Sequence, residues 1–476
     1  MAEFWHFSWP SLQQPLFLSD KNNNTAAVTV VEFLTQLAAC KQQAEQLQGQ
    51  RVLLYQSDSY CFTLWLFALL QAGKTVILAP NGLPDTLAQA GLSADIQLCD
   101  DKLCADLPAP VTCSIGNQQP GTAACQLPLL AELVFFTSGS SGEPKLVYKK
   151  LWQLQREIAV LSATFAELGR PSDSTQSENS NTHLLVAATV PPQHIYGLLF
   201  RLLWPLSSGW TLARDTVHFA GQWLALSRYQ MPVLLISSPA HLCRYDDVVE
   251  LLPQYPEHKQ QFIGVFSSGG PLASADAAKF YQQTGLAPLE IYGSTETGGI
   301  GWRQYQQDTP NPAWQAFTGL QLRQDEQGCL WLKSPYLPDE NWFATADLVS
   351  FISPSQFSLQ GRADRIVKLA EKRLALGEVE LCCTELPYVE KAVALVLPGR
   401  SAASRPQLTL VVLLNTQGRD LLEQLGKFQL NQQIRQKLAL RFDTVLLPRR
   451  FCYPTQLPFN AQGKLPRQAL ELLFLA

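Results

Sequence analysis

The stretch FFTSGSSGEPK, Phe135 to Lys145, follows an apolar run and brings hydroxyl side chains and glycines together within a few positions. Glycine lets backbone N–H groups approach an anion closely, and Ser and Thr hydroxyls supply further hydrogen-bond donors. The stretch therefore predicts a cradle for a polyphosphate, although a flexible Ser/Gly turn would have the same composition. It is not a Walker loop, because the pattern G-x-x-x-x-G-K-[ST] is absent.

Four further strings follow in order along the chain. They are IYGSTE at 291–296, WFATADL at 342–348, GRADRIVKLAEKRLALGEVE at 361–380 and LPFNAQGKLPR at 457–467. Together with TSGSSGEPK they resemble the ordered motifs of the adenylate-forming superfamily, which comprises acyl-CoA synthetases, acyl-ACP ligases, peptide-synthetase adenylation domains and luciferases. The matching strings extend over about 70% of the chain.

Helical and strand-like patterns alternate in the first part of the chain. Apolar residues at helical spacing precede the strand-like RVLLYQ, and an apolar helix at 60–72 precedes Gly73 and the strand-like KTVILAP. Strand, helix and strand joined by short links predict a parallel sheet covered by helices. We therefore expect an α/β fold with a large N-terminal domain of layered sheets and helices at 1–360, and the resemblance implies that this is the AMP-binding domain. The sequence pattern changes near residue 360, and a smaller α+β domain is expected at 361–476, with two strands, EKAVALVLP and QLTLVVLLN, and a long helix from about 418 to 440. The resemblance implies that this domain is mobile.

The resemblance assigns the first loop to the phosphates of ATP. The residues implied in this contact are Thr137, Ser138, Gly139, Ser140, Ser141, Gly142 and Lys145. It assigns IYGSTE to adenine and magnesium, so that Tyr292 offers a flat face to the base and Gly293 and Ser294 continue the contact. A tyrosine packed in a core is the alternative for Tyr292.

Thr295 and Glu296 close the second string. A carboxylate is a hard oxygen ligand suited to magnesium, and the neighbouring hydroxyl suits a phosphate. A carboxylate stabilised by a helix dipole is the alternative for Glu296. Within IYGSTE the ligand interpretation is favoured, so ATP and Mg²⁺ are the predicted cofactors.

The ribose motif and two acyl-side segments carry further candidates. Asp347 is expected to accept both ribose hydroxyls and Arg362 to bind ribose or phosphate, although a lone Asp is commonly a turn residue and a lone Arg a surface charge. His194, in VPPQHIYGLLF, resembles the superfamily position beside the acyl carboxylate, with a packed histidine as an equal alternative. Gly269 and Gly270 belong to a segment that resembles the one along the adenine and the acyl pocket.

Lys464 and Asp364 belong to the C-terminal motifs. In the superfamily the lysine that matches Lys464 bridges carboxylate, α-phosphate and ribose oxygen, where a point charge stabilises the pentavalent transition state. By its surroundings alone, Lys464 would be a solvated lysine. Asp364, in GRAD, matches the hinge about which the C-terminal domain rotates between the two half-reactions.

Three positions depart from the superfamily pattern, and at the first of them Ser141 replaces the commoner threonine but keeps the hydroxyl. Ala346 replaces the usual glycine of the ribose motif, a change of one methyl group that the site should tolerate. Glu371 stands where glycine is common, in the segment past which the pantetheine arm enters, although the EKR at 371–373 could be a solvated charge run. The same EKR resembles stand-alone acyl-ACP ligases of aryl-polyene-like pathways. We therefore expect the acceptor to be a phosphopantetheine thiol on an acyl carrier protein.

Composition limits the other classes of function. Of 476 residues, 46% are apolar and 16% are charged, which supports folded domains. The net charge of -4 and the lack of an extended basic cluster argue against a nucleic-acid partner. No apolar stretch is long enough to span a bilayer, and the N-terminus lacks a secretory pattern. The 11 scattered cysteines favour reduced thiols and a cytoplasmic location.

The sequence thus predicts an ATP-dependent acid–thiol ligase that forms an acyl-adenylate and passes the acyl group to a phosphopantetheine thiol. An aromatic-rich chain and His194 favour an aromatic or medium-chain acid, though aromatic content belongs more often to a core. The alternatives are an acyl-CoA synthetase that uses free CoA, a non-catalytic nucleotide-binding homologue, and a luciferase-like oxygenase that would share every motif.

Overall fold

The computed structural model describes most of the chain as two compact units. The described residues are 3–9, 11–21, 24–99, 107, 123–138, 144–168, 184–218, 220–243, 261–309, 311–369, 372–397, 406–460 and 465–474. Of these, unit 1 contains the residues up to Gln321 and Lys333–Asn341, and unit 2 contains Leu322–Leu332, Trp342–Asn460 and the residues from Leu465. The domain boundary expected near residue 360 stays a prediction.

The secondary structure of unit 1 alternates strands and helices. Its described strands are β1 Phe4–Trp9, β2 Pro15–Lys21, β3 Asn24–Thr29, β4 Arg51–Leu54, β5 Thr75–Leu78, β6 Ile96–Leu98, β7 Ala123–Pro128, β8 Glu132–Ser138, β9 Pro144–Lys150, β10 Leu185–Ala188, β11 Thr211–Thr216, β12 Val233–Ser237, β13 Phe262–Ser267, β14 Leu289–Ser294, β15 Gly298–Gln304 and β16 Trp314–Ala316. Its described helices are α1 Val30–Gln46, α2 Ser59–Gln71, α3 Pro84–Gly91, α4 Leu151–Thr164, α5 Ile195–Gly197, α6 Trp204–Ser208, α7 Ala220–Leu226, α8 Pro239–Leu242 and α9 Ser274–Thr284. A π-helical turn, Leu198–Leu203, joins α5 to α6.

Two sheets of mainly parallel strands organise the described part of unit 1. The first has the order β6-β4-β5-β8-β9, and β9 is antiparallel to β8. The second contains the run β3-β2-β11-β10-β12-β13-β14-β15-β16, which is parallel from β2 to β14. In such sheets the carboxyl ends of the parallel strands share one edge, where ligands bind. The predicted α/β fold is confirmed.

Local sequence explains the first two helices. Thr29 and Glu32 form a reciprocal capping box at the start of α1. The Asp58 carboxylate accepts a hydrogen bond from the Cys61 N–H in the first turn of α2, and Gly73, with a φ of 74°, follows the end of this helix. α2 is buried from Ser59 to Leu70, so it is the core helix that the apolar run predicts. Within the described residues, no helix is long and apolar enough to cross a membrane.

Unit 2 mixes hairpins, a small sheet and helices. Its elements are β17 Gln321–Gln324, β18 Cys329–Lys333, β19 Phe343–Ser353, β20 Gln356–Arg362, β21 Ile366–Leu369, β22 Lys372–Ala375, α10 Leu376–Thr384, β23 Val389–Leu397, β24 Gln407–Leu414, α11 Thr416–Ala439, β25 Arg450–Cys452 and α12 Arg467–Leu472. β19 and β20 form an antiparallel hairpin, and β23, β24 and β25 form a sheet. Leu410 and Val412 of this sheet pack with Leu430 and Ile434 of α11. These elements match the two strands and the long helix that the sequence predicts for the α+β part.

Candidate functional site

The first predicted motif lies on the hairpin formed by β8 and β9. In this hairpin Thr137 stands opposite Lys145, and Ser138 stands opposite Pro144. The Thr137 hydroxyl donates to the Lys145 carbonyl oxygen at 3.2 Å, which ties the strands together where the motif begins. The predicted phosphate-binding residues Gly139, Ser140, Ser141 and Gly142 lie outside the described residues.

The second motif forms the end of β14 and a tight turn. A Cβ at Gly293 would lie 2.3 Å from the Gly298 carbonyl oxygen, so only glycine fits this approach of two backbone segments. The Ser294 N–H donates to Thr297 Oγ1, and the Thr297 N–H donates to Ser294 Oγ, both at 3.1 Å. These reciprocal bonds fix the turn that carries Thr295 and Glu296.

Burial differs among the residues of this motif, and Tyr292 and Thr295 are both less exposed than Gly293 and Ser294 between them. The Tyr292 ring centroid lies 5.5 Å from that of Trp314, so the ring is partly engaged in packing. Thr295 is buried. Glu296, which is half-buried, remains accessible to a ligand, as does the exposed Ser294.

An ion pair joins the first two motifs. The Lys145 ammonium nitrogen lies 3.2 Å from Glu296 Oε1, although the residues are 151 positions apart in sequence. Burial acts to raise the pKa of the Glu296 carboxyl, but hydrogen bonds from its own backbone N–H, from Lys145 and from Ser294 outweigh burial and lower it. The side chain is thus a carboxylate at neutral pH, the form that a magnesium ion binds.

The acyl-side candidates follow strands of the second sheet. Ser268, just after β13, donates from its hydroxyl to the Ile291 carbonyl oxygen at 2.8 Å. Gly269 follows with a φ of 92°, a conformation that favours glycine, and Gly270 is exposed. His194 lies between β10 and α5 and is partly buried. Ser268 therefore lies beside Ile291 of the second motif, and the contact of Gly269 and Gly270 with adenine and the acyl group stays a prediction.

A cavity of about 720 Å³ opens beside Gln193, the residue before His194. Its polar wall includes Asp58, Asp215, His218 and His241, and the described residues that line it include no Lys or Arg. Gln193 is 1% exposed, and its Oε1 accepts no hydrogen bond from the described residues. Burial and the charge of Arg201 lower the pKa of His218, so this wall residue is neutral at pH 7. A neutral ligand that donates hydrogen bonds suits such a wall better than an anion does.

Arg201, in the π-helical turn, donates hydrogen bonds to residues in and next to the wall of this cavity. Its Nη1 donates to the Val190 carbonyl oxygen and to Thr216 Oγ1, both at 2.8 Å. Burial lowers the pKa of Arg201 to about 10, and nearby carboxylates oppose that shift. The charge of Asp58 is balanced by Arg214, at 2.5 Å. The hydrogen bonds of Arg201 and the Asp58–Arg214 ion pair thus hold the ends of β10 and β11 in place.

The ribose candidates meet in unit 2. Asp347 on β19 and Arg362 on β20 stand opposite each other, and Arg362 Nη1 lies 3.0 Å from Asp347 Oδ1. Asp364 belongs to the short 3₁₀ turn Ala363–Arg365, but its side chain lies outside the described residues, as do Lys464 and Glu371.

Sequence reasoning missed a buried polar group beneath Glu296. Lys149 and Glu157 are 3% and 4% exposed, and Tyr336 is 1% exposed. Burial raises the pKa of Glu157 to about 7, and it lowers the pKa of Lys149. Two sequence features could have indicated these residues. Lys149 lies two positions after the buried Val147, on the same face of a strand, and Glu157 follows Gln153 at helical spacing on α4.

Comparisons with known proteins identify a family match and related sequences. Residues 127–327 match the family model described as AMP-binding enzyme. Enterobactin synthase component F of Escherichia coli is 24% identical over 89% of this chain, which covers 35% of that protein's length. The 4-coumarate–CoA ligase of Cereibacter sphaeroides is 26% identical, over 70% of each chain.

Solved structures share the fold over nearly the whole chain. ATP-bound MatB from Rhodopseudomonas palustris has a TM-score of 0.70 at 17% identity, covering 98% of this chain and 97% of that one. The anthranilate CoA ligase AuaEII, in complex with anthranoyl-AMP, has a TM-score of 0.65 at 15% identity, covering 97% and 94%.

Fold, motif order and family match define a class of enzyme that binds AMP. The chain contains an AMP-binding enzyme domain at residues 127–327, and the resemblance that its sequence indicates is confirmed. It spans about a third of the length of the first curated relatives that it matches.

Proposed function

We propose that this protein is an acid–thiol ligase. A carboxylate oxygen of the acid attacks the α-phosphorus of ATP, the bond to pyrophosphate breaks, and acyl-AMP forms. A thiolate then attacks the acyl carbon, and AMP leaves with the electron pair of the broken C–O bond. The observation that carries the proposal is the pairing of Lys145 with Glu296, because it joins a phosphate-type loop to a carboxylate 151 residues away.

Magnesium fits the chemistry of this pair. Glu296 would hold the ion through its deprotonated carboxylate, and the ion would neutralise phosphate charge. Lys145 is 61% exposed and can move from Glu296 to a phosphate oxygen. Asp347, already beside Arg362, supplies acceptors for ribose hydroxyls, and we assign the transition-state charge to Lys464.

We assign the cavity beside Gln193 to the pantetheine arm of the acceptor. The arm is neutral and carries amide and hydroxyl donors, whereas an acid substrate and the phosphates of free CoA are anionic. A wall with Asp58 and Asp215 and with no described Lys or Arg suits the arm best. This supports a carrier protein, which brings the arm without a second nucleotide. The similarity to enterobactin synthase component F, which extends over 89% of this chain, supports the same choice.

The acid is proposed to be aromatic, with medium-chain acids as the second choice. Two relatives carry aromatic acids in their names, 4-coumarate and anthranilate.

The cavity variant Ala225→Trp should fill the arm site, so that thioester formation falls while pyrophosphate exchange persists. Ala275→Trp, at an exposed position of α9, is the matched control.

Acid-dependent ATP–pyrophosphate exchange tests the proposed function. The panel contains hydroxybenzoates, cinnamates, medium-chain fatty acids and acetate. Exchange should appear with an aromatic or medium-chain acid, and Glu296→Gln should reduce it at least tenfold while the exposed Glu340→Gln does not. Nucleotide binding without exchange for any acid would favour a non-catalytic homologue, and oxygen uptake with light emission would favour a luciferase-like oxygenase.

A further inference from the structure

A layer of buried polar side chains lies directly beneath the turn that carries Glu296. The Lys149 ammonium donates to the Glu296 main-chain carbonyl oxygen at 2.7 Å. Glu157 Oε1 accepts the Gly299 N–H at 2.7 Å. Both ends of the segment 296–299 are therefore held from below by charged side chains, one from β9 and one from α4.

The remaining contacts of this layer leave the turn little freedom. The Tyr336 hydroxyl donates to the Gly299 carbonyl oxygen, and Gln153 Nε2 donates to the Tyr336 carbonyl oxygen at 3.0 Å. A Cβ at Gly298, whose φ is 71°, would lie 2.5 Å from Glu157 Oε2. The backbone of the turn thus packs directly against the Glu157 carboxylate.

We propose that Lys149 and Glu157 are positioning residues that set the location of the Glu296 carboxylate for magnesium and phosphate binding. The inference rests on the proposed function, because it concerns the residue to which that function assigns the metal. Neither side chain is exposed enough to meet a substrate, so each acts through the backbone of the turn. Outer groups of this kind orient a metal ligand, and their loss commonly weakens metal affinity by roughly tenfold to a hundredfold.

The two charges also depend on each other. Each is removed from water by burial, and each one's charge favours the charged form of the other. Removing one partner leaves the other as an uncompensated buried charge, which it avoids by moving or by changing its protonation state. Loss of either side chain should therefore displace the same turn.

Three variants separate charge from hydrogen bonding. Glu157→Gln keeps an oxygen acceptor for the Gly299 N–H but removes the negative charge near Lys149. Glu157→Ala removes both, and Lys149→Met removes the donor to Glu296 while keeping most of the side-chain volume. Glu340→Gln, exposed in the same unit, is the control.

Two measurements on the full chain test the inference. Hydrogen exchange of the ligand-free protein should rise at residues 294–300 in Glu157→Ala and Lys149→Met and stay unchanged elsewhere in unit 1. The magnesium concentration for half-maximal pyrophosphate exchange should rise roughly tenfold or more in both, with the acid KM unchanged. Glu157→Gln should shift the pH profile of exchange and give a smaller magnesium effect.

The outcomes distinguish the inference from the proposed function. If the wild type exchanges pyrophosphate and the variants keep its magnesium dependence, Lys149 and Glu157 do not position Glu296. A uniform fall in activity, with unchanged magnesium dependence and exchange spread over all of unit 1, would indicate general destabilisation and also overturn it. If the wild type shows no exchange with any acid, the proposed function fails, and calorimetric binding of magnesium–ATP by the same variants still decides the inference.

Discussion

Replacement of Glu157 by Gln should change how the stability of unit 1 depends on pH. Burial raises the pKa of Glu157 from 4.5 to about 7 in the folded chain, against the opposing effects of the Gly299 N–H and Lys149. The folded state therefore holds this proton more tightly than the unfolded state does. The contribution of the Glu157 carboxyl to the free energy of unfolding is fully present below pH 4.5, falls as the pH rises, and levels off above pH 7.

The magnitude follows from the two pKa values. Each tenfold difference in proton affinity corresponds to about 1.4 kcal/mol. The free energy of unfolding that is lost through ionisation of Glu157 is therefore below about 1 kcal/mol at pH 5 and about 3 kcal/mol at pH 7.5. The wild type should thus lose about 2 kcal/mol more than Glu157→Gln between these pH values. Of the other groups packed against Glu157, Tyr336 has a pKa that burial raises well above this window, and both Tyr336 and Lys149 remain in the variant.

The assay must report on unit 1 alone, because a chain with two compact units need not unfold in one step. Samples are equilibrated in urea at pH 5 and pH 7.5 and then labelled by hydrogen exchange at one common pH. Peptides from α4 give the unfolded fraction. Glu340→Gln should follow the wild type. Parallel pH dependences for the wild type and Glu157→Gln would refute the reasoning, because Glu157 would then share one pKa in both states.

Three further predictions concern the two half-reactions. Lys464→Ala should abolish pyrophosphate exchange but spare transfer from supplied acyl-AMP; near-normal exchange would remove Lys464 from the site. Asp364→Pro should restrict the backbone of the 3₁₀ turn Ala363–Arg365, so that exchange survives while thioester formation falls. Equal loss of both steps would argue against a hinge there. Thioester formation should be faster with a holo carrier protein than with CoA at equal concentration, and it should slow as ionic strength rises; a faster reaction with CoA would identify an acyl-CoA synthetase.

The sequence predicted the α/β layers because their signals are local and periodic. The apolar run assigned to a helix at 60–72 forms α2, Ser59–Gln71, since every face of it is buried and Gly73 ends the following turn. The long helix expected from about 418 to 440 is α11, but Gly426 adopts a φ of 74° and introduces a kink. Glycine can adopt either a positive or a negative φ, so the sequence alone does not predict this kink.

The candidate site was predictable only where residues belong to recognisable strings. Glu296, Asp347 and Arg362 were proposed in this way, and the structure then adds the partners that face them, Lys145 for the first and each other for the last two. Lys149 was missed because an isolated lysine is normally placed at the surface. Its burial is decided by the turn at 296–299, which lies about 150 positions further along the chain.

The buried charges beneath Glu296 are better explained by geometry than by stability. Apolar side chains of similar volume at two such positions are often as stable as a buried charge pair, or more stable. The double variant Lys149→Met/Glu157→Leu should therefore unfold at the same or a higher urea concentration than the wild type at pH 7.5. It should nevertheless lose the hold on both ends of the turn, because neither new side chain replaces the bonds to Glu296 O and Gly299 N. Urea titration and the magnesium dependence of pyrophosphate exchange, measured on one preparation, separate the two roles. A stable double variant with wild-type magnesium dependence would show that the turn holds its shape without them, and a double variant that is both unstable and weak in magnesium would show that the pair serves stability first.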